Sequence, residues 1–294
     1  MHNLNQADIV VCRPALRKDT DEVMELCSHI WDGDDYIPMV WEDWLADPDG
    51  MLGVAEMGGR VVGIFKLTKF KEQEWYMEGL RVHPDVQGRG IAAHIHEYVL
   101  ETWRCMGSGV IRLTTGSYNI KVHQMCERTG FKRIAEFIPY RAPCLPEGEN
   151  HFDLLKSDEA QRAMDFVLGN PMHDLSWGLI NLGWVYADPQ PKYIQEAIGE
   201  GHAWWWKGGE GFLSIWEDRE DDGHAPGIQL VACPVDDLLD LLVDYRKLMG
   251  EVGYSSAGWV APNQPELLDC LEKAGFHRSW DVSLFVFELK SEGS

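Results

Sequence analysis

The stretch Gln87-Gly88-Arg89-Gly90-Ile91-Ala92 follows a strand-like run, Trp75 to Val82, and opens a helix-like run, Ile91 to Trp103. In that context the two glycines mark a strand-to-helix turn whose backbone can approach a ligand closely, because neither residue carries a Cβ. The first N–H groups of the helix lack intrahelical partners and lie at the positive end of its dipole, where phosphate is stabilised. A phosphorylated ligand is therefore expected. A Walker loop needs Gly-Lys-Ser/Thr where this chain has Gly90-Ile91-Ala92, and a dinucleotide fingerprint needs three glycines after the first strand with an acidic residue about 20 positions on. Neither pattern is met.

Outward from this turn, residues 9–143 read as strand, helix, helix, three strands, helix, strand, helix, strand. Ile9 to Pro14 is a first strand, and Asp19 with Glu22 reads as a capping box opening a helix over Val23 to Ile30. Met51 to Glu56, Arg60 to Phe70 and Trp75 to Val82 are predicted strands, the first two joined at Gly58-Gly59. Ile91, Ile95, Tyr98, Val99 and Thr102 recur at three- and four-residue steps and predict one buried helix face. Val110 to Thr114 is the next strand and Asn119 to Thr129 the next helix. The turn-rich run Pro143 to Asn150 divides the chain into domains over 1–145 and 151–294.

The second part repeats the layout of the first. Val110 to Tyr140, with Asn119 and Gly130-Phe131, corresponds to Ser256 to Phe287, with Asn263 and Gly275-Phe276. Where the second copy should carry its own phosphate turn it has Cys233-Pro-Val-Asp236-Asp237-Leu-Leu, without glycine and with acids that would repel phosphate. Its helix is sound: Asp236, Asp240 and Asp244 share one face, with Leu239, Leu242 and Val243 on others.

A net charge of −22 weighs against nucleic acid and anionic membranes as partners, and 45% hydrophobic residues without a long apolar run describe a soluble globular chain. Seven scattered cysteines without CxxC pairs, and an N-terminus without an export signal, lead to the expectation of a reducing, cytoplasmic setting. No metal site is expected. His94 and His96 fall on different helix faces, His123 and Cys126 supply only two donors, and Asp218 to Gly223 imitates a calcium loop but has Gln229 at its twelfth position. Trp204-Trp205-Trp206 reads as a packed strand. Nothing in the sequence sets an oligomeric state.

Glu78-Gly-Leu-Arg-Val82-His-Pro84-Asp-Val-Gln87-Gly88-Arg89-Gly90-Ile91-Ala92 resembles the acetyl-CoA signature of the GCN5-related N-acetyltransferases (GNAT), a glycine turn after a strand ending in Val-x-Pro. The resemblance implies an α/β fold with a mixed α+β sheet, arranged in tandem as a catalytic N-terminal domain and a degenerate C-terminal GNAT-like domain. It implies acetyl-CoA as co-substrate. The backbone of Leu80 and Val82 would pair with pantetheine, and Gln87, Gly88, Arg89, Gly90, Ile91 and Ala92 would hold the pyrophosphate. Asn119 is implied as a cofactor contact or a helix cap. Glu78 alternates in step with Leu80 and Val82 and is the implied general base, with Arg81 on the opposite face of a regular strand. The family's tyrosine acid is replaced by Cys126, whose thiol is then the candidate acid, with Tyr118 and Tyr140 as alternatives.

The segment Trp31 to Pro48 contains Asp-Tyr36-Ile-Pro and Trp44-Leu-Ala-Asp-Pro, and resembles the histidine N-acetyltransferase group. In this fold the segment roofs the acceptor site, with Tyr36 and Trp41 as pocket candidates. The resemblance implies acetyl transfer to the amine of a small molecule, a free amino acid such as histidine first. A polyamine, an aminoglycoside or a protein N-terminus is the alternative acceptor, and a non-catalytic acetyl-CoA sensor the alternative class.

Overall fold

The computed structural model describes residues 9–146, 148–217 and 226–291, so the calcium-like run at 218–223 lies outside the described residues. The chain forms two compact units. The first comprises residues up to Leu113, Met125–Phe131 and the chain from Glu288, and the second Thr114–Gln124 and Lys132–Phe287.

The first unit runs β1 (Val10–Pro14), α1 (Thr20–Ser28), α2 (Ile37–Ala46), β2 (Met51–Met57), β3 (Arg60–Lys71), β4 (Glu74–Val82), α3 (Ile91–Met106) and the start of β5 (Val110–Gly116), and regains the end of α4 (Ile120–Arg128). β1 to β4 pair antiparallel in sequence order, and β4 pairs parallel with β5. Successive β3 side chains point to opposite faces. Ile64 packs with Val23, Leu26, Ile37 and Trp41 of α1 and α2, whereas Phe65 meets Tyr98 of α3 at 5.7 Å between ring centres. Helices therefore cover both faces of the sheet. On α3 the buried residues are Ile91, Ile95, His96, Val99, Leu100 and Trp103, while Tyr98 and Thr102 of the predicted face flank it half-buried. Residues at the C-terminal end of the chain complete this unit: Arg112 on β5 binds Glu288 at 2.9 Å, and the Ser291 N–H donates to the Gly109 carbonyl.

The capping box does not form. Asp19 instead accepts two bonds from the Arg13 guanidinium, at 2.7 and 2.8 Å, and one from the Leu16 N–H, and Glu22 accepts the Val61 N–H of β3 at 2.7 Å. Charge-assisted partners from neighbouring elements outcompete the local cap. The helix starts at Thr20.

The second unit contains β6 (Lys132–Pro143), β7 (Phe152–Leu154), α5 (Ala160–Leu168), α6 (Pro171–Leu175), β8 (Ile180–Asn181), β9 (Tyr186–Ala187), α7 (Pro191–Glu200), β10 (Ala203–Trp206), β11 (Gly211–Trp216), β12 (Gly227–Ala232), α8 (Leu238–Val252), β13 (Ser256–Pro262), α9 (Pro265–Lys273), β14 (His277–Arg278) and most of β15 (Leu284–Lys290). Its strands follow the order β7, β10, β11, β12, β13, β6, with β14 also on β6 and β8 and β9 forming a separate ribbon. The progression β12, α8, β13, α9 repeats β4, α3, β5, α4, as a tandem fold requires. The triple tryptophan is a buried strand. Asp244 does not behave like exposed Asp240 on the same helix face: it is buried and accepts from Trp206 Nε1 at 3.0 Å and Lys247 Nζ at 2.9 Å, and its Oδ2 lies 2.7 Å from His151 Nδ1.

Candidate active site

The glycine turn between β4 and α3 lies where the sequence places it. β4 ends at Val82, a short 3-10 turn spans Pro84–Val86, and Gly90 precedes the first turn of α3. Gly88 and Gly90 have φ of 79° and 82°, the left-handed region that side chains disfavour. A Cβ at either position would face open space, so the requirement here is conformational rather than one of packing. The Gln87 side chain donates back to the Val82 carbonyl at 3.1 Å and fixes the turn to the strand end. Gln87, Gly88, Arg89 and Gly90 are exposed, Ala92 is partly so, and Ile91 anchors the helix in the core. The first-turn N–H groups of α3 therefore lie beside an open surface, as an anion site needs.

A second feature lies on β4 itself. Its parallel ladder with β5 covers only Glu74↔Val110 to Tyr76↔Arg112, and no further pair joins the strands among the described residues. The strands part there, so β4 backbone from Met77 onward has an edge to offer a ligand. On its other side β4 pairs with β3 in a register that shifts by one: Glu78 opposes Lys66, yet Arg81 opposes Ile64. Gly79 and Leu80 thus share the single residue Phe65 as a bulge. Gly79 has φ of 64°, and a Cβ there would lie 2.7 Å from the Trp44 ring.

The bulge corrects the sequence-based alternation. Glu78 lies on the face shared by Lys66, Thr68 and Ile64, and the register brings Arg81 to that face, while Val82, opposite Gly63, lies on the other. Arg81 clamps Asp35 through Nε at 3.0 Å and Nη2 at 3.1 Å, and its guanidinium lies 4.4 Å from the Trp31 ring centre and 5.3 Å from that of Tyr36. Tyr36 also makes an edge contact with Trp44, centres 6.0 Å apart. Burial, reinforced by the charge of Glu78, pushes the Tyr36 phenol up to about 12, so it is a neutral donor at physiological pH.

Glu78 keeps some exposed surface, but its surroundings are dry enough that burial raises its carboxyl above the usual range, opposed by a bond from the Thr68 hydroxyl and by the charge of Lys66. The Thr68 hydroxyl donates to Glu78 Oε1 at 2.5 Å. Lys66, only 1% exposed, donates to Asp47 and to the Leu67 carbonyl. Asp47 also accepts the Asp49 and Gly50 N–H groups, which help hold it below the ordinary carboxylate range although burial acts the other way. This face of β3 and β4 thus carries one carboxylate of raised basicity among groups whose charges are already paired.

Two candidates are not brought to this face. Trp41 is 1% exposed and packs in the α1–α2 core, with its indole N–H donating to Thr20 at 3.0 Å. Trp44, three residues on, lies instead against Gly79 of β4 and contacts Tyr36. Cys126 is fully buried, its thiol pushed up to about 12 by that burial, and an acid without exposed surface touches no substrate. Asn119 lies in the second unit; its side-chain amide donates to Thr115 Oγ1 at 3.2 Å rather than capping α4, while its carbonyl receives the Val122 N–H. Tyr118 is exposed and Tyr140 half-buried. His94 is exposed and His96 buried, on different faces as predicted. Lys66, Thr68 and Asp47 escaped the sequence reading, although Lys66 and Thr68 are polar residues two apart on a core strand, a pattern that marks one face as polar; Asp35, which the sequence offers as a substrate contact or a turn residue, is instead bound by Arg81.

Residues 17–131 match the Acetyltransferase (GNAT) family. Over 88 residues the chain is 30% identical to a histidine N-acetyltransferase of Xenopus tropicalis, covering 30% of this chain and 27% of that protein. Over 123 residues it is 28% identical to a human protein named probable N-acetyltransferase 16, covering 40% of this chain and 33% of that one. These matches span a third or less of each relative. In fold the likeness extends further: a tandem GNAT protein from the clavulanic acid biosynthesis pathway superposes with TM-score 0.60 at 13% identity, over 97% of this chain and 100% of that one. The tandem architecture is thus a property of the fold. Members of the GNAT family take acetyl-CoA as co-substrate, and the left-handed glycines, free helix start and parted β4–β5 edge suit its pyrophosphate and pantetheine.

The second unit does not repeat the backbone of the glycine turn at residues 233–238. Its β12–β13 ladder is a single pair, Gly227↔Gly258, so the strands also part, but Val235–Asp237 forms a 3-10 turn in which none of the residues 233–238 has positive φ. Calorimetric titration is expected to find one acetyl-CoA site per chain; two equivalent sites would contradict this difference.

Among the described residues no helix is long and apolar enough to cross a membrane.

Proposed function

We propose that the chain is an acetyl-CoA-dependent N-acetyltransferase whose acceptor is the amine of a small molecule, a free amino acid such as histidine. The observation that carries this reading is Glu78, a carboxylate of raised basicity, on a bulged strand whose other edge is open to a thioester ligand. Backbone N–H groups of Gly88 to Ile91 would hold the pyrophosphate, and the freed edge of Met77 to Val82 would align pantetheine. Glu78, oriented by Thr68, accepts a proton from the acceptor ammonium, directly or through water, and frees the nitrogen lone pair for attack on the acetyl carbonyl. The carbonyl oxygen takes charge as the C–N bond forms; the C–S bond then breaks, and the second proton lost from the nitrogen passes through water to the departing thiolate, giving the amide and CoA thiol.

An amino acid also presents a carboxylate. With Arg81 on the same face as Glu78 but its guanidinium already bound to Asp35, that face offers an acid for the ammonium and the neutral Tyr36 phenol as a donor to the carboxylate. Tyr36→Phe is expected to raise KM for an amino-acid acceptor about tenfold, the worth of one hydrogen bond to a charged group, with KM for acetyl-CoA unchanged. Equal effects on both constants would remove Tyr36 from the acceptor site. The likeness to histidine N-acetyltransferases supports histidine as the first acceptor to test. Product analysis over a panel of free amino acids, polyamines and peptide N-termini tests the class, and turnover confined to polyamines or peptides would overturn it.

A further inference from the structure

Outside the site described above, Glu25 and His29 on the last turn of α1 meet His83, the residue that follows β4. Glu25 and His29 are one helical turn apart, the spacing that puts two side chains side by side. Glu25 Oε1 lies 3.1 Å from His29 Nε2 and 3.7 Å from His83 Nε2, and all three donor atoms fall within 4.8 Å of one another. A tetrahedral Zn²⁺ with bonds of about 2.0–2.1 Å sets its ligand atoms about 3.3 Å apart, a value that the two Glu25 edges bracket. The donor set, two imidazoles and a carboxylate with one side open to solvent, suits Zn²⁺.

His83 supplies the independent observation. It is 8% exposed, and its Nε2 makes no hydrogen bond among the described residues although it points at Glu25. A buried ring nitrogen without a partner is unfavourable unless something else satisfies it. The other nitrogen, Nδ1, faces Asp85: it accepts that residue's N–H at 3.3 Å and lies 3.9 Å from the carboxylate. When Nε2 donates its lone pair to a metal, the ring proton sits on Nδ1, which then gives up the Asp85 N–H and turns to the Asp85 carboxylate, 3.9 Å away, the kind of outer acceptor that orients metal-bound histidine.

We propose that Glu25, His29 and His83 form a Zn²⁺ site that ties the end of α1 to the segment between β4 and the glycine turn. Sequence spacing does not reveal this site, because His83 lies far along the chain from the Glu25-x-x-x-His29 pair.

Equilibrium dialysis of the intact chain with Zn²⁺ alone, and with Co²⁺ as its spectroscopic substitute, tests the site. Wild type is expected to bind one Co²⁺ with the intense visible bands of a four-coordinate centre, displaced by Zn²⁺. His29→Ala and His83→Ala should each weaken binding by at least about tenfold. His29 is half-exposed, so its variant keeps the fold, and a metal-free melting curve matching wild type verifies this. Absence of stoichiometric binding in wild type, or binding unchanged in His29→Ala, would overturn the proposal.

Discussion

Glu78→Gln is expected to lower kcat for an amine acceptor about a hundredfold or more, the usual contribution of a positioned general base. Acetyl-CoA affinity should stay near wild type, because the carboxylate lies on the face shared with Arg81 and Tyr36 while the proposed cofactor contacts are backbone groups. The pH profile carries the sharper test. Burial disfavours the charged carboxylate and raises its pKa, so the base is lost as pH falls through that raised value. In the variant this limb disappears, and ionisation of the acceptor's own ammonium alone remains. Stability has the matching sign. The folded protein binds the Glu78 proton more tightly than the unfolded chain, so this residue makes stability fall as pH rises from the ordinary carboxylate range through the raised value. Glutamine removes that dependence, and the variant should melt at or above wild type near neutrality. Normal turnover with an unchanged profile would assign Glu78 to structure.

Gly90→Val is expected to weaken acetyl-CoA binding by about tenfold or more, since left-handed backbone at a non-glycine residue costs about 1–2 kcal/mol and relief of that strain would turn the N–H groups away from the ligand. Nothing packs where the new side chain would point, so the fold should survive. Gly59 is a matched control, because its φ of 79° and empty surroundings resemble those of Gly90 while it sits in the β2–β3 turn. Gly59→Val should lower the melting temperature comparably and leave acetyl-CoA affinity unchanged. Equal loss of affinity in both variants would mean that strain, not the cradle, is being measured.

What could be read from the sequence follows from how local each signal is. The glycine turn needs only neighbouring residues to fix its geometry, and the order of strands and helices through β6 follows from periodicity and turn residues. Arg81 could not be placed, because the Gly79–Leu80 bulge is fixed by pairing with β3 and by the Trp44 ring over Gly79. Without the bulge, simple alternation sends Arg81 to the wrong face. Trp41 and Trp44 differ by less than one turn of an amphipathic helix, and only packing against α1 decides which of them is core. Asp19 and Glu22 have the spacing of a cap, yet Arg13 and the Val61 N–H, on other elements, claim their oxygens. The completion of the first unit by Glu288 to Ser291 was equally invisible, since it joins residues more than 170 positions from their partners at Arg112 and Gly109.

Acetyl transfer to a small amine releases CoA thiol, and that release by the intact chain can be followed continuously. With acetyl-CoA and free histidine together, thiol should appear at a steady rate well above that with acetyl-CoA alone, matched by acetylated histidine. Thiol release that no free amino acid increases, from protein that binds acetyl-CoA, would contradict that transfer.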